Sequence, residues 1–446
     1  MRLRNALIFT NITNLQLERN QLYRTKNTNE GREKMKTFKE LYEELVSAAI
    51  GGDFEAIKKA ESDCDPLQLD CLLNPDRHPL ILRTGHCDCT KEKAEECINR
   101  CPFGALREAD NGGIAIDSEL CVGCAVCIDE CTAKKLTATT DIIPAMKAIR
   151  ASKGPAYAMI APAFLGQFSD VTPGKLRTAL KRVGFDGMLE VALFADILTM
   201  KEALEFDQNI REESDFQLTS CCCPMWIAMI GKVYNELMPH VPGSVSPMIA
   251  CGRTVKLLHP DALTVFIGPC LAKKAEAREK DLAGAVDYVL TFQEVQNIFS
   301  ALGIIPSEME ESEKDHSSRA GRIYARVGGV SEAVEQTVKR LNPDRAITVR
   351  TKHADGVPAC KAMIGELLAG KSSANFYEGM GCKGGCVGGP KSVTGVEEGS
   401  RLVDFYGEMS PYPTPIENPY VIELLRRLDI ETVEGLLDSE IFKRRF

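Results

Sequence analysis

The sequence predicts an α/β protein. Its main body holds parallel sheets flanked by helices, preceded by a smaller cysteine-rich α+β module and a short helical segment. Three observations carry this. With 446 residues, 44% of them hydrophobic, the chain is long enough for two or three domains around large buried cores. From about residue 155 onward, short apolar, β-rich runs (156–160, 188–193, 263–267, 286–290, 323–326, 347–350 and 375–377) alternate with helical stretches, as strands joined by crossover helices do. The 18 cysteines fall into two groups, one closely spaced between 64 and 131 and one scattered between 221 and 386.

In chain order, residues 1–35 are polar and irregular and are expected to form a disordered extension. They lack the apolar segment and small-residue cleavage site of a secretory leader, so a cytoplasmic location is expected. Residues 36–80 should be helical. The stretch TFKELYEELVSAAI at 37–50 opens on a capping box of Thr37 and Glu40, sets Phe38, Leu41, Tyr42 and Leu45 on one face, and stops at Gly51 and Gly52. A short helix over 54–61 should follow. The spacing of Cys64 and Cys71 fits no standard metal motif, so they are expected to be packed or free thiols. Residues 81–145 form the cysteine-dense domain and 150–446 the α/β domain, closed by outer helices at about 421–428 and 433–442. A net charge of −9 leaves no basic surplus for phosphates, so nucleic acid is not an expected partner. No run of about 20 apolar residues calls for a membrane span. So many cysteines without a secretory leader point to metal or redox chemistry, not disulfides.

The segment CVGCAVCIDEC at 121–131 has the spacing C-x2-C-x2-C-x3-C of bacterial ferredoxins that hold 4Fe-4S clusters. Short steps let successive thiolates wrap one cubane, while the fourth reaches the neighbouring cluster. Upstream, CDCTKEKAEECINRCP at 87–102 ends on the same C-x3-C-P but begins differently. Crossing the fourth ligands assigns Cys121, Cys124, Cys127 and Cys101 to one cluster. Cys87, Cys89, Cys97 and Cys131 are left for the other. Zinc is the competing reading, disfavoured by two such endings in one segment. A two-cluster module of this kind moves single electrons and leaves the main body unexplained.

Three motifs remain there: TSCCCPMW at 219–226, GPCLAKKAE at 268–276 and EGMGCKGGCVGGP at 378–390. Several predicted strands lead directly into such motifs, and open α/β sheets bind ligands at strand carboxyl ends. In this order, behind a ferredoxin-spaced segment, the motifs resemble the catalytic domain of FeFe-hydrogenases over about residues 80–400. The resemblance implies a hydrogenase catalytic domain behind a two-cluster ferredoxin-like domain. It also implies an H-cluster, a 4Fe-4S cluster joined to a diiron centre with carbonyl, cyanide and azadithiolate ligands. The cubane ligands would be Cys223, Cys270, Cys382 and Cys386, with Cys386 bridging to the diiron centre. Cys222 would carry protons. Anchoring the triple cysteine on Thr219 and Ser220 instead shifts the first-motif roles to Cys222 and Cys221. The glycines around Cys382 and Cys386 would keep side chains away from two joined inorganic units; the plain alternative is a glycine-rich turn with unligated thiols. Lys273 matches a lysine that pairs with cyanide, as a compact ammonium suits. Met380 matches a methionine beside the cluster. Pro162 matches a pocket-lining proline, and Ser246 and Gly268 also fall at cofactor-binding positions.

Dihydrogen chemistry must move protons as well as electrons. By the same resemblance Glu202 and Glu205, on one face of a helix beginning near ADILTM, are the proton-relay carboxylates. The chain also departs from the family. Gly268 stands for a methionine, Met248 for a glutamine, Pro242 for a relay serine and Asn209 for an outer arginine. Proline has no hydroxyl, so the usual path is broken or runs through water. These changes resemble the family's divergent, sensory branches. The expected activity is reversible, slow or sensory oxidation of dihydrogen. Dihydrogen, protons, a ferredoxin-like electron carrier, maturation proteins and a separate signalling protein are the expected partners. A second class stays open: hydrogenase-like iron–sulfur assembly or electron-transfer factors without a diiron site. Cys64, Cys71, Cys221, Cys251 and Cys360 have no assigned role.

Overall fold

The computed structural model describes residues 36–446, apart from 60–63, 86, 88, 110–112, 169–170, 220–221, 313–315 and 372–373. The extension expected over 1–35 lies outside the described residues. The first helix, Phe38–Gly51, has the expected capping box and ends on Gly52 at φ 84°, the left-handed turn that favours glycine. Its face of Leu41, Leu45 and Ala49 packs against the helix Ile142–Ala151, whose Ile142, Met146 and Ile149 complete that corner of the core. Cys64 and Cys71 are buried nearby as packed thiols. Burial, with Asp70 and Asp65 close by, pushes the Cys71 thiol up to about 11.

The cysteine-dense segment is built on two small antiparallel pairs. Strands β1 (Ile81–Arg83), β2 (Leu106–Glu108), β3 (Ile114–Ile116) and β4 (Leu136–Ala138) pair as β1 with β4 and β2 with β3. The helices Lys91–Arg100 and Val126–Asp129 lie between them in sequence.

The main body holds two parallel sheets. Its strands are β5 (Ala156–Ile160), β6 (Gly187–Glu190), β7 (Gln217–Leu218), β8 (Leu263–Gly268), β9 (Tyr288–Thr291), β10 (Thr351–Asp355) and β11 (Phe376–Met380). One sheet has the order β6-β5-β8-β9 and the other β10-β11-β7. In the first, Ile160 stands opposite both Glu190 and Ile267, so the strands end at a common edge. Four of the five β5 residues are buried, as expected of a parallel strand covered on both faces.

Several predicted runs need correction. The run at 188–193 is a strand only to Glu190, and the helix Val191–Asn209 begins at once. At 323–326 there is no strand but a 3-10 turn, Ile323–Ala325, between two helices. Its apolar residues are buried, and a short buried run has no period to separate strand from turn. The strand expected at 347–350 forms at Thr351–Asp355, where polar side chains hid it. β7 is two residues long and left no pattern to read. The outer helices are Pro419–Arg427 and Val433–Asp438. No helix of the described residues is long and apolar enough to cross a membrane.

Candidate iron–sulfur and active site

The cysteine-dense segment brings its described cysteines into two neighbourhoods. Cys101, Cys121, Cys124 and Cys127 line one small, almost wholly apolar cavity floored by Ala105 and Ala125. Burial, and then the neighbouring thiols, raises Cys124 to about 11 and Cys127 to about 12. Cys97 is raised by burial and then by Cys131, Cys89 and Cys87, which marks out the second quartet. Gly113, at φ 77°, brings its backbone close to Cys87, where a Cβ would come within 2.5 Å of the cysteine Cβ. Backbone N–H groups support the crossing sulfurs: Ala105 donates to Cys101 Sγ at 3.2 Å and Lys135 to Cys131 Sγ at 3.4 Å.

In the main body, three strand ends deliver four thiols to one place. Cys223 follows β7 and opens the helix Pro224–Val233. Cys270 follows β8 and precedes the helix Ala272–Arg278. Cys382 and Cys386 follow β11. Both sheets therefore contribute through their carboxyl ends. The thiols feel one another. After burial, Cys223 is the chief neighbour raising Cys270 to about 11, and Cys223 and Cys270 raise Cys386 to about 12. Cys382 is held well above the ordinary range by burial and by Cys270, Cys223 and Cys386. Among the described residues no group of His, Cys, Asp or Glu converges tightly enough for a single metal ion.

The donor chemistry of the quartet fits a cubane. It offers four cysteine sulfurs, and N–H groups point at two of them. Gly381 donates to Cys223 Sγ at 3.3 Å, and the amides of Ala272 and Lys273 face Cys270. Lys273 supplies a buried positive charge. Burial works against its ammonium, but Glu276 at 2.6 Å and the sulfurs of Cys270 and Cys386 outweigh it and raise its pKa. The quartet and the outer module are neighbours. Gly123, at φ 73°, packs on the Leu271–Ala272 backbone, where a Cβ would come within 3.2 Å of Ala272 N. Cys124 is close enough to raise Cys382.

Two motif glycines have a reason other than the one expected. A Cβ at Gly379 would lie 1.9 Å from the Trp226 ring, and one at Gly381 would lie 2.6 Å from Met225 Cβ. These glycines admit the CPMW helix against β11. Gly385, at φ 87°, turns the chain between the two cysteines and bridges to Arg326.

The remaining expected residues are distributed as follows. Met380 is buried at the end of β11, and Pro162 opens the turn after β5. Gly268 ends β8, where the Phe266 ring lies 2.7 Å from the position of a Cβ. Ser246 caps the helix Pro247–Leu258, accepting from Ile249 N–H at 3.4 Å, and Met248 is buried in that helix. Glu202 is buried and Glu205 nearly so, on the helix Val191–Asn209, with Asn209 exposed at its end. Cys222 is half-buried against the core that contains Cys223. Ser220 and Cys221 lie outside the described residues, so of the second register only Thr219 and Cys222 are described.

Sequence reasoning missed Cys360, Glu378 and Lys201. Cys360 is fully buried, donates to Met380 O at 3.4 Å, and is raised to about 12 by burial and then by Cys223. Glu378 accepts from the amides of Gly328 and Ser331 at 2.8 Å each, anchoring β11 under a helix start. Only Lys201 left a local signal, as an i,i+4 partner of Glu205.

The family model described as "Iron only hydrogenase large subunit, C-terminal domain" matches residues 155–390. Iron hydrogenase 1 of Clostridium pasteurianum is 28% identical over 288 residues, 56% of this chain and 49% of that protein. The chain thus spans about half the length of that relative. Cytosolic iron-sulfur assembly component 3 of Pongo abelii is 24% identical over 328 residues, 60% of this chain and 69% of that one. A solved FeFe-hydrogenase of Chlamydomonas reinhardtii shares the fold at a TM-score of 0.57 and 23% identity, covering 69% of this chain and 98% of that one.

Proposed function

We propose a function from one premise: the chain belongs to the iron-only hydrogenase large-subunit family. On that premise it is an FeFe-hydrogenase of divergent, slow or sensory type, catalysing reversible oxidation of dihydrogen. The observation that carries this is the meeting of Cys223, Cys270, Cys382 and Cys386 beside a buried Lys273 that faces two of those sulfurs. These four cysteines would hold a 4Fe-4S cluster, with Cys386 bridging to the diiron unit. Bound there, that unit would supply the chemistry that splits dihydrogen into protons and electrons.

The chain's own residues supply the rest. Lys273, held by Glu276, offers N–H donors to an anionic ligand in a dry pocket. Cys222 would receive a proton, and Glu202 and Glu205 would carry it along the helix face. The two outer quartets, as 4Fe-4S sites in a ferredoxin-like domain over 81–145, would take single electrons through Cys382 and Cys124 toward a ferredoxin-like carrier.

The relatives include an assembly component as well as hydrogenases, so the assembly-factor reading is kept as the alternative outcome. Protein co-produced with hydrogenase maturation proteins should reduce a dye in the presence of dihydrogen, and Cys386→Ser should abolish this. An inactive wild-type chain with its full iron complement would favour the assembly reading.

A further inference from the structure

The helix that carries the two glutamates also carries a buried lysine that no cluster site uses. Lys201 is 1% exposed, and its ammonium has two acceptors, Glu205 Oε1 at 2.5 Å and Ser244 Oγ at 2.8 Å. An unpaired buried ammonium is strongly destabilising, so these contacts keep Lys201 inside. Ser244 is itself fixed. Its N–H donates to Pro242 O at 2.8 Å, it bridges to Lys443, and Val245 beside it donates to Phe442 O at 3.0 Å. Glu205 thus has one oxygen held and one not. Its Oε2 is buried with no hydrogen-bond partner among the described residues. Burial keeps its carboxyl above the ordinary range, against Lys201 on its own helix and Lys443 on the C-terminal segment, the charged groups that face it.

We propose that, with no hydroxyl at Pro242, Lys201 held by Ser244 is a positioning residue that presents Glu205 Oε2, free and oriented, as the outward proton acceptor for Glu202. This rests on the hydrogenase reading. A proton leaving Glu202 forms an O–H bond at Glu205 Oε2, and Glu202 is left ionised. Lys201 keeps its own protons. Neutral Glu205 leaves the charges of Lys201 and Lys443 uncompensated, which drives that proton onward to solvent water. One proton enters and one leaves, and no electron moves.

Infrared pH-difference spectroscopy of the full chain without its diiron unit reads the Glu205 acid carbonyl, assigned by its loss in Glu205→Gln. Lys201→Met and Lys201→Gln should raise its titration midpoint by about one pH unit or more, and Lys201→Arg should restore it. Having two neutral variants guards against misfolding of one. In protein loaded by maturation proteins, Lys201→Gln should slow turnover about tenfold and move the pH profile the same way, with metal-bound carbonyl and cyanide bands unchanged. Those bands with an unshifted Glu205 midpoint, or with an unchanged rate and profile, would overturn the relay alone. A loaded wild-type chain without the bands would overturn the hydrogenase reading, and the relay with it.

Discussion

Lys273 and Gly379 show how little freedom single residues have near the sulfur quartet. Lys273 stays charged inside because the Glu276 carboxylate faces it at 2.6 Å. The cysteines themselves are held protonated by burial, at about 11 for Cys270 and about 12 for Cys386. Loading iron must displace those protons. The sign is therefore fixed: the thiolate fraction grows as pH rises. Chemical reconstitution of the quartet should release protons and go further at pH 9 than at pH 7, read by iron content and an indicator dye; equal loading at both would contradict the burial. At Gly379 a methyl group has no room, since its carbon would sit 1.9 Å from the Trp226 ring. Gly379→Ala should lose about 1–3 kcal/mol in denaturant unfolding, the usual range for overpacking.

The crossing of cysteines between two segments belongs to the scale of elements. Cys127, in the helix Val126–Asp129, and Cys131 are four residues apart, yet Cys127 sits with Cys101 and Cys131 with Cys97. Cys127→Ser and Cys131→Ser should each remove about four irons per chain, and the double variant about eight. A double variant losing only about four would mean one shared cluster. The sequence could propose this pattern because ligand spacing is local: a C-x2-C-x2-C-x3-C step suggests its own geometry. Strand boundaries were less legible. β10 carries polar TKHAD, and the apolar run at 323–326 packs as a turn, because burial decided the form and periodicity had too few residues to speak. The Lys201–Ser244 contact joins residues 43 apart through folding alone, and no local spacing announces it.

For the whole molecule, two parallel sheets bring the ends of β7, β8 and β11 to one point, and the outer module packs there through Gly123 on the Leu271–Ala272 backbone. On the proposed function, that arrangement would give electrons one side of the site and leave protons the helix Val191–Asn209. The motif order in the sequence named the three meeting segments. It did not show why their glycines are needed, because Trp226 and Met225 lie more than 150 residues before Gly379 and Gly381. The central claim is that sulfurs from these segments carry a cubane joined to a diiron unit. An infrared spectrum of the wild-type chain co-produced with hydrogenase maturation proteins tests it most directly. Sharp bands of iron-bound carbonyl and cyanide that vanish in Cys386→Ser are predicted. A chain with all its cubanes and no such bands would contradict it.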